Sequence, residues 1–177
     1  MQNIEQEIKS VIRDVPDFPK PGIVFKDITP FLAKPKLCSL AVNYTYQFYK
    51  THSIDAVAGL ESRGFLLGMM IAQKLNVPFI PIRKKGKLPY KTISQSYLLE
   101  YGNAEIEIHE DAIDAGSNVL IHDDLLATGG TAVAAAQLIK KCGCNVAGFS
   151  FIIELEFLNG KQHLEKYSNQ ILSLATY

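Results

Sequence analysis

The run VLIHDDLLATGGT, from Val119 to Thr131, narrows the possible folds of this chain more than any other segment. A short apolar stretch, Asn118 to Ile121, ends in His122, Asp123 and Asp124, a loop of small residues follows, and Ala132 to Lys141 (AVAAAQLIKK) consists of good helix formers. A strand that is apolar on both faces and soon gives way to a helix belongs in a parallel sheet covered on both sides. Thr131 is placed to cap that helix, and Lys140 and Lys141 lie near the negative end of its dipole.

The same run carries chemistry. Side chains at Ala127, Thr128, Gly129, Gly130 and Thr131 are too small to keep an oxyanion away from backbone N–H groups, and the threonine hydroxyls add donors. Asp123 and Asp124 fall at the carboxyl end of the strand, where open α/β sheets place ligands, and carboxylates there can accept hydrogen bonds from vicinal ribose hydroxyls. The bland alternative, acids that only end the strand and glycines that only turn the chain, leaves this convergence unexplained. Within this run the G-x-G-x-x-G of dinucleotide sites and the G-K-[ST] of nucleoside triphosphate loops are both absent.

Periodicity fills in the rest. Ile4, Ile8, Val11 and Ile12 predict an amphipathic helix over Asn3–Arg13, and prolines at 16, 19, 21 and 30 exclude helix from Val15 to Pro30. Phe18, Ile23, Val24 and Phe25 on that stiff loop either anchor it to the core or face a planar ligand; composition favours the anchor. Leu37–His52 reads as a helix, Ala56–Leu60 as a buried strand and Gly68–Leu75 as a helix. Between the last two, Arg63 offers a five-donor fork suited to a pyrophosphate or to a salt bridge with Glu61. Val77–Ile82 reads as a strand, at a sheet edge because of its prolines.

Arg83, Lys84, Lys85 and Lys87 then form a local anion magnet on a loop that could move, with a solvated turn as the alternative. Ser96–Tyr101 and Ala104–Ile108 suggest a hairpin joined by Gly102-Asn103, with Glu100 facing the same cleft as the basic loop. Val146–Ile153 closes the sheet, Leu155–Tyr167 forms a turn and helix, and Ile171–Leu174 makes a short terminal strand.

A chain of 177 residues with 18 basic and 18 acidic side chains fits one domain with zero formal net charge, which gives no broad attraction to nucleic acid or an anionic membrane. There is no apolar segment of membrane-spanning length and the N-terminus is amphipathic, so the expected location is the cytoplasm. Cys38, Cys142 and Cys144 fit reduced thiols better than a disulfide framework or a metal site, and His109 and His122 lack partners at metal-ligand spacing.

Six stretches, FPKPGIVFKDITP, GLESRGF, IRKKGKLP, SYLLEYG, VLIHDDLLATGGTA and IIELEFLNG, together resemble the adenine branch of the type I phosphoribosyltransferase family, and they span Phe18 to Gly160. The resemblance implies an α/β fold with a central, mostly parallel sheet flanked by helices, a small N-terminal hood over residues 1–33 and a flexible lid over residues 83–101. It implies a cytoplasmic enzyme of purine salvage that moves the phosphoribosyl group of 5-phosphoribosyl 1-pyrophosphate to N9 of adenine, giving AMP and pyrophosphate. Mg2+ would be bound mainly through the sugar diphosphate, with no direct protein ligand.

Carried over by position, Asp123 and Asp124 would hold the ribose hydroxyls, and Ala127, Thr128, Gly129, Gly130 and Thr131 the 5'-phosphate. Arg63 would meet the pyrophosphate beside an unusual, often cis, peptide, together with Arg83, Lys84, Lys87 and Tyr101 of the lid. Phe25 would stack on the base, Val24 would offer backbone contacts to its edge and Leu155 would close the other side. Glu100 would stand near the reacting nitrogens, and Arg83 would reach the neighbouring active site of a homodimer. The chain departs from the family pattern at Tyr90-Lys91, where a glycine is usual, and at His122, where a branched apolar residue is usual. A transcriptional regulator on the same fold would need an added nucleic-acid-binding element, and an enzyme for another purine would differ in the groups that meet the base edge.

Overall fold

A computed structural model of the chain describes residues 2–98 and 103–177. The chain opens with helix α1 (Gln2–Val11), which buries Ile4 and Ile8 completely, and continues into an antiparallel pair, β1 (Arg13–Pro16) and β2 (Val24–Asp27). Helix was expected to be absent from 15 to 30, but a loop was expected throughout. Pro19 and Pro21 lie between the two strands and Pro16 only ends β1, so the other N–H groups of both strands remain free to pair. Arg13 opposes Asp27 and Asp14 opposes Lys26 in the ladder, and both pairs form ion pairs, at 3.0 and 2.7 Å.

A one-turn helix, α2 (Thr29–Leu32), corrects the exclusion of helix at its far end: Pro30 occupies the first turn, where its missing N–H costs nothing. Helix α3 (Pro35–Tyr49) begins two residues before the expected start and ends three before the expected end.

The remaining strands, β3 (Ala56–Leu60), β4 (Phe79–Lys84), β5 (Thr92–Leu98), β6 (Asn103–His109), β7 (Asn118–Leu126), β8 (Asn145–Glu154) and β9 (Ile171–Thr176), form one sheet ordered β5-β6-β4-β3-β7-β8-β9. The five strands from β4 to β9 in that order are parallel, and the β5–β6 hairpin adds antiparallel pairing at one edge. Helices α4 (Gly64–Leu75) and α5 (Gly130–Lys141) complete the frame. One apolar layer packs α5 on the sheet, and the other packs α1, α2, α3 and α4 on the opposite face. Strand β3 is accordingly buried at every position.

Several boundaries differ from expectation for definite reasons. Strand β4 is interior, between β6 and β3, despite Pro81. Pro78 O, just before β4, accepts the amide of Val57 and Ile82 O that of Glu61, just after β3, so the peptide of Pro81 faces the other way, where pairing with β6 begins only at Arg83. Strand β7 runs on through Leu126, so Asp123 and Asp124 lie inside it, paired to β8, instead of ending it. Strand β9, not β8, closes the sheet, and the segment after Leu155 forms two one-turn 3-10 helices, Glu156–Leu158 and Gly160–His163, where a longer helix was expected. Among the described residues, no helix is long and apolar enough to cross a membrane.

Candidate active site

From β3 the chain crosses through α4 to β4 on one side, and from the adjacent β7 it crosses through α5 to β8 on the other. That divergence opens a crevice beyond the carboxyl ends of β3 and β7, the place where open α/β sheets hold ligands. Glu61, Ser62 and Arg63 follow β3 into the crevice, with a cis peptide between Glu61 and Ser62, and Asp123 and Asp124 approach it along β7.

A cavity of about 550 Å³ is lined by Glu61, Ser62, Arg63, Lys84, Lys85, Tyr97, Glu105, Asp123, Asp124 and Thr131. The Arg63 side chain removes one of the alternatives left by the sequence: its Nε lies 2.8 Å from Asp124 Oδ2, so its carboxylate partner is not Glu61. That contact is an ion pair without hydrogen-bond alignment, and Asp124 Oδ2 has no other partner although the residue is only 3 % exposed. Glu61 instead takes Arg83 Nη2 at 3.2 Å and the amide of Lys84 at 2.8 Å; burial works against its ionisation, but these donors hold its pKa below the ordinary value.

The two aspartates behave in the opposite way. Burial, followed by the charge of Asp124, pushes the Asp123 carboxyl well above the usual range; burial also raises Asp124, with Arg63 opposing it. Asp123 Oδ1 accepts the amide of Asp124 at 2.9 Å. Two adjacent acids, Asp124 buried and Asp123 partly so, with Arg63 paired to one of them, form a site that gains from further positive charge brought to it.

Residues Ala127 to Thr131 surround a smaller cavity of about 80 Å³, together with Asp123, Leu125, Leu126 and Ala132. Helix α5 starts at Gly130 and its cap position is Gly129, with φ of 82°, so the expected cap, Thr131, sits inside the first turn with its side chain on the cavity. The loop is held from behind by a residue that sequence reasoning treated only as a turn. A Cβ built on Gly160 would strike Ala127 O, and one on Gly129 would come 2.8 Å from Gly160 O. The stretch IIELEFLNG contains this glycine, but nothing in its local pattern says which loop it meets.

A third cavity, of about 560 Å³ and mostly apolar, is lined by Val24 of β2, Leu155, Thr128, Ile23, Leu158, Lys26 and Tyr177, among others. Val24 and Leu155 are thus brought together as expected, and Lys26 and Tyr177 are additions: Lys26 Nζ lies 4.0 Å from the centre of the Tyr177 ring. Phe25 does not line this cavity. Its ring packs edge-on to Phe18 at 5.2 Å, and the Arg63 guanidinium stands 5.3 Å over it, so it links β2 to the residue paired with Asp124. Arg83 is engaged within its own chain, through Glu61 and the carbonyl of Lys87. Lys87 sits on the β4–β5 loop with its amide 3.0 Å from Glu107. Glu100 and Tyr101 lie outside the described residues.

His122, just before the aspartates, is buried with Nδ1 3.1 Å from Ser150 Oγ, and burial pushes its pKa down to about 4. The unfolded chain binds a proton here below about pH 6.5 and the folded one does not, so stability present at pH 7 is lost as pH falls toward 4, by about 2 kcal/mol at pH 5. The thermal midpoint of the wild type should therefore drop more steeply between pH 7 and 5 than that of His122→Leu. Parallel slopes would remove His122 from the acid response.

Comparison with known proteins follows the same lines. Residues 29–170 match the phosphoribosyl transferase domain family. An adenine phosphoribosyltransferase from Cytophaga hutchinsonii is 53 % identical over 174 residues, covering 98 % of this chain and 96 % of the relative. The crystal structure of an adenine phosphoribosyltransferase from Thermoanaerobacter pseudethanolicus superposes with a TM-score of 0.92 at 46 % identity, covering 97 % of this chain and 99 % of the other. The enzyme of Saccharomyces cerevisiae, complexed with adenine and an imino-altritol bisphosphate, superposes with a TM-score of 0.91 at 38 % identity over 98 % and 99 % of the two chains.

Proposed function

The chain belongs to the adenine branch of the phosphoribosyl transferase family and is an enzyme of that kind, and from this premise we propose that it joins adenine to the ribose carbon of 5-phosphoribosyl 1-pyrophosphate, releasing AMP and pyrophosphate. The observation that supports this reading best is the shared lining of the three cavities. Asp123 and Thr131 belong both to the crevice of Arg63 and to the small-residue loop, and Thr128 belongs both to that loop and to the apolar cavity of Val24 and Leu155. A sugar diphosphate with a phosphorylated ribose, set beside a separate flat base, has the same three-part layout. The yeast relative crystallised with adenine and a sugar-like bisphosphate supports the choice of ligands.

In this reading the amides and hydroxyls from Ala127 to Thr131 hold the 5'-phosphate at the positive end of α5, and Asp123 and Asp124 accept hydrogen bonds from the ribose hydroxyls. As the bond from C1' to the diphosphate oxygen breaks, positive charge grows on the ribose beside these two acids. Negative charge grows on the diphosphate, opposite Arg63, Lys84 and Lys87. The N9 lone pair then bonds to C1' and the base gives up a proton, for which Glu100 is the assigned acceptor. Val24 and Leu155 hold the base in a slot, with Phe25, whose ring also meets the Arg63 guanidinium, assigned to stack on it.

Asp123 and Asp124 are hard oxygen donors that fit Mg2+, but among the described residues no group of three or more His, Cys, Asp or Glu could hold a metal on its own. As the resemblance implies, the ion is assigned mainly to diphosphate oxygens, where it would neutralise charge on the leaving group. Residues 1–33 act as a hood over the base and residues 83–101 as a lid that keeps water from the activated sugar, within one cytoplasmic domain. A homodimer in which Arg83 serves the neighbouring site would require Arg83 to leave Glu61.

A panel of adenine, hypoxanthine, guanine and xanthine, each with sugar diphosphate and Mg2+ and read by pyrophosphate release, tests the reading. Adenine should exceed the oxopurines by about 100-fold or more, because a site matched to a donor amino group leaves polar groups unpaired against a carbonyl. Equal release with guanine, or none with adenine, would overturn it.

A further inference from the structure

The basic loop between β4 and β5 hangs on one buried carboxylate. Glu107 lies in the middle of β6, opposite Arg83 on one side and Ser94 on the other, and is 4 % exposed. Its Oε1 accepts the amides of both Lys87 and Leu88, at 3.0 and 3.1 Å, and its Oε2 accepts the hydroxyl of Thr92 at 3.2 Å. One side chain therefore grips the loop near its middle and again where β5 begins. Arg83 completes a circuit, donating through Nη1 to Lys87 O and through Nη2 to Glu61, the residue that follows β3 into the crevice. Lys84 and Lys85, from the same segment, line the crevice beside Arg63.

Four cations within five residues repel one another, and past Lys85, whose amide still donates to Glu105 O, the amides of Lys87 and Leu88 need another acceptor. A buried carboxylate meets both needs, since charge-assisted hydrogen bonds are about twice as strong as neutral ones. We propose that Glu107 is a positioning residue for the sugar diphosphate: it pins the 85–91 loop against β6 and so supports Lys85, which an ion pair to Glu105 at 2.7 Å holds at the mouth of the diphosphate cavity. It touches no reacting atom. The inference rests on the assignment of that cavity to the diphosphate, and it limits Glu107 to binding of the donor, not of the base.

Amide hydrogen exchange and steady-state kinetics on Glu107→Ala and Glu107→Gln test this. In Glu107→Ala the amides of Lys87 and Leu88 should exchange at least tenfold faster, and KM for the sugar diphosphate should rise about tenfold, while KM for adenine and kcat move less than threefold. Glu107→Gln keeps an oxygen for the two amides and an N–H for Thr92 Oγ1, so it should restore most of both losses. If Glu107→Ala fails to fold, Thr92→Val, which removes only the Oε2 contact, should still raise KM for the donor two- to threefold.

Faster exchange with an unchanged donor KM would overturn the proposal, as would unchanged exchange or equal defects in the alanine and glutamine variants. Calorimetry with magnesium pyrophosphate separates this failure from failure of the functional reading. A wild type that binds pyrophosphate but does not use adenine leaves the pin to be judged by its weakened binding in Glu107→Ala. A wild type that binds no pyrophosphate overturns both.

Discussion

Asp123→Asn is expected to lower the rate of phosphoribosyl transfer about 100-fold or more while raising the thermal midpoint of the protein at pH 7. The two effects have one cause. Burial and the adjacent Asp124 make the Asp123 carboxyl bind its proton more tightly in the folded protein than in the unfolded chain. An acid with a raised pKa weakens folding once the pH exceeds its unfolded value, near 4, and the penalty grows until the pH passes the folded value. Asparagine has nearly the same shape, can still accept the amide of Asp124 through its oxygen, and carries no charge to be penalised. It also removes the charge that Asp123 would present to the proposed cationic sugar once ionised, and groups of this kind contribute about 100- to 1000-fold to catalysis.

Thermal unfolding from pH 5 to 8 should show the wild type losing stability relative to Asp123→Asn as pH rises, with initial rates recorded on the same samples. Asp124→Asn should share the loss of rate without the gain in stability, because it strips Arg63 of its partner. An asparagine variant at 123 with full turnover, or one less stable than the wild type across this range, would show that the charge at this position is structural.

The run that contains these acids was also the most legible part of the chain. Parallel strand, small loop and helix all follow from residue type at VLIHDDLLATGGTA, because each depends on neighbours in sequence. The bounds that went wrong depended on neighbours in space. Strand β7 extends past Asp124 because β8 pairs with it to Leu126, and β4 lies inside the sheet because β6, contributed from further along the chain, pairs beside it. At the site the same division holds. Val24 and Leu155 share a cavity as their motifs implied, yet Arg63 chose Asp124 over the nearby Glu61, a preference that only the approach of β7 to β3 creates. At Glu107 nothing in the neighbouring sequence signals that three donors converge on it.

Gly160→Ala should have the largest effect of any substitution outside the ligand-lining residues, and its cause is invisible in the local sequence. The new methyl group would occupy the space of Ala127 O and press on the backbone of Thr128 and Gly129, all of which are backbone atoms and cannot swing aside. Either the 3-10 turn from Gly160 to His163 retreats or the loop is pushed toward its own cavity. Overpacking of this kind costs about 1–3 kcal/mol of stability. The cradle offers only about 80 Å³, so a small displacement of its amides misaligns them from a bound phosphate. KM for the sugar diphosphate should rise about tenfold or more, with KM for adenine changing less. Gly116→Ala serves as the control: Gly116 also has a positive φ, of 89°, but faces open space, so its variant should lose stability through backbone strain and keep the donor KM. If both variants lowered stability alike and neither moved the donor KM, Gly160 would be a packing glycine with no hold on the phosphate loop.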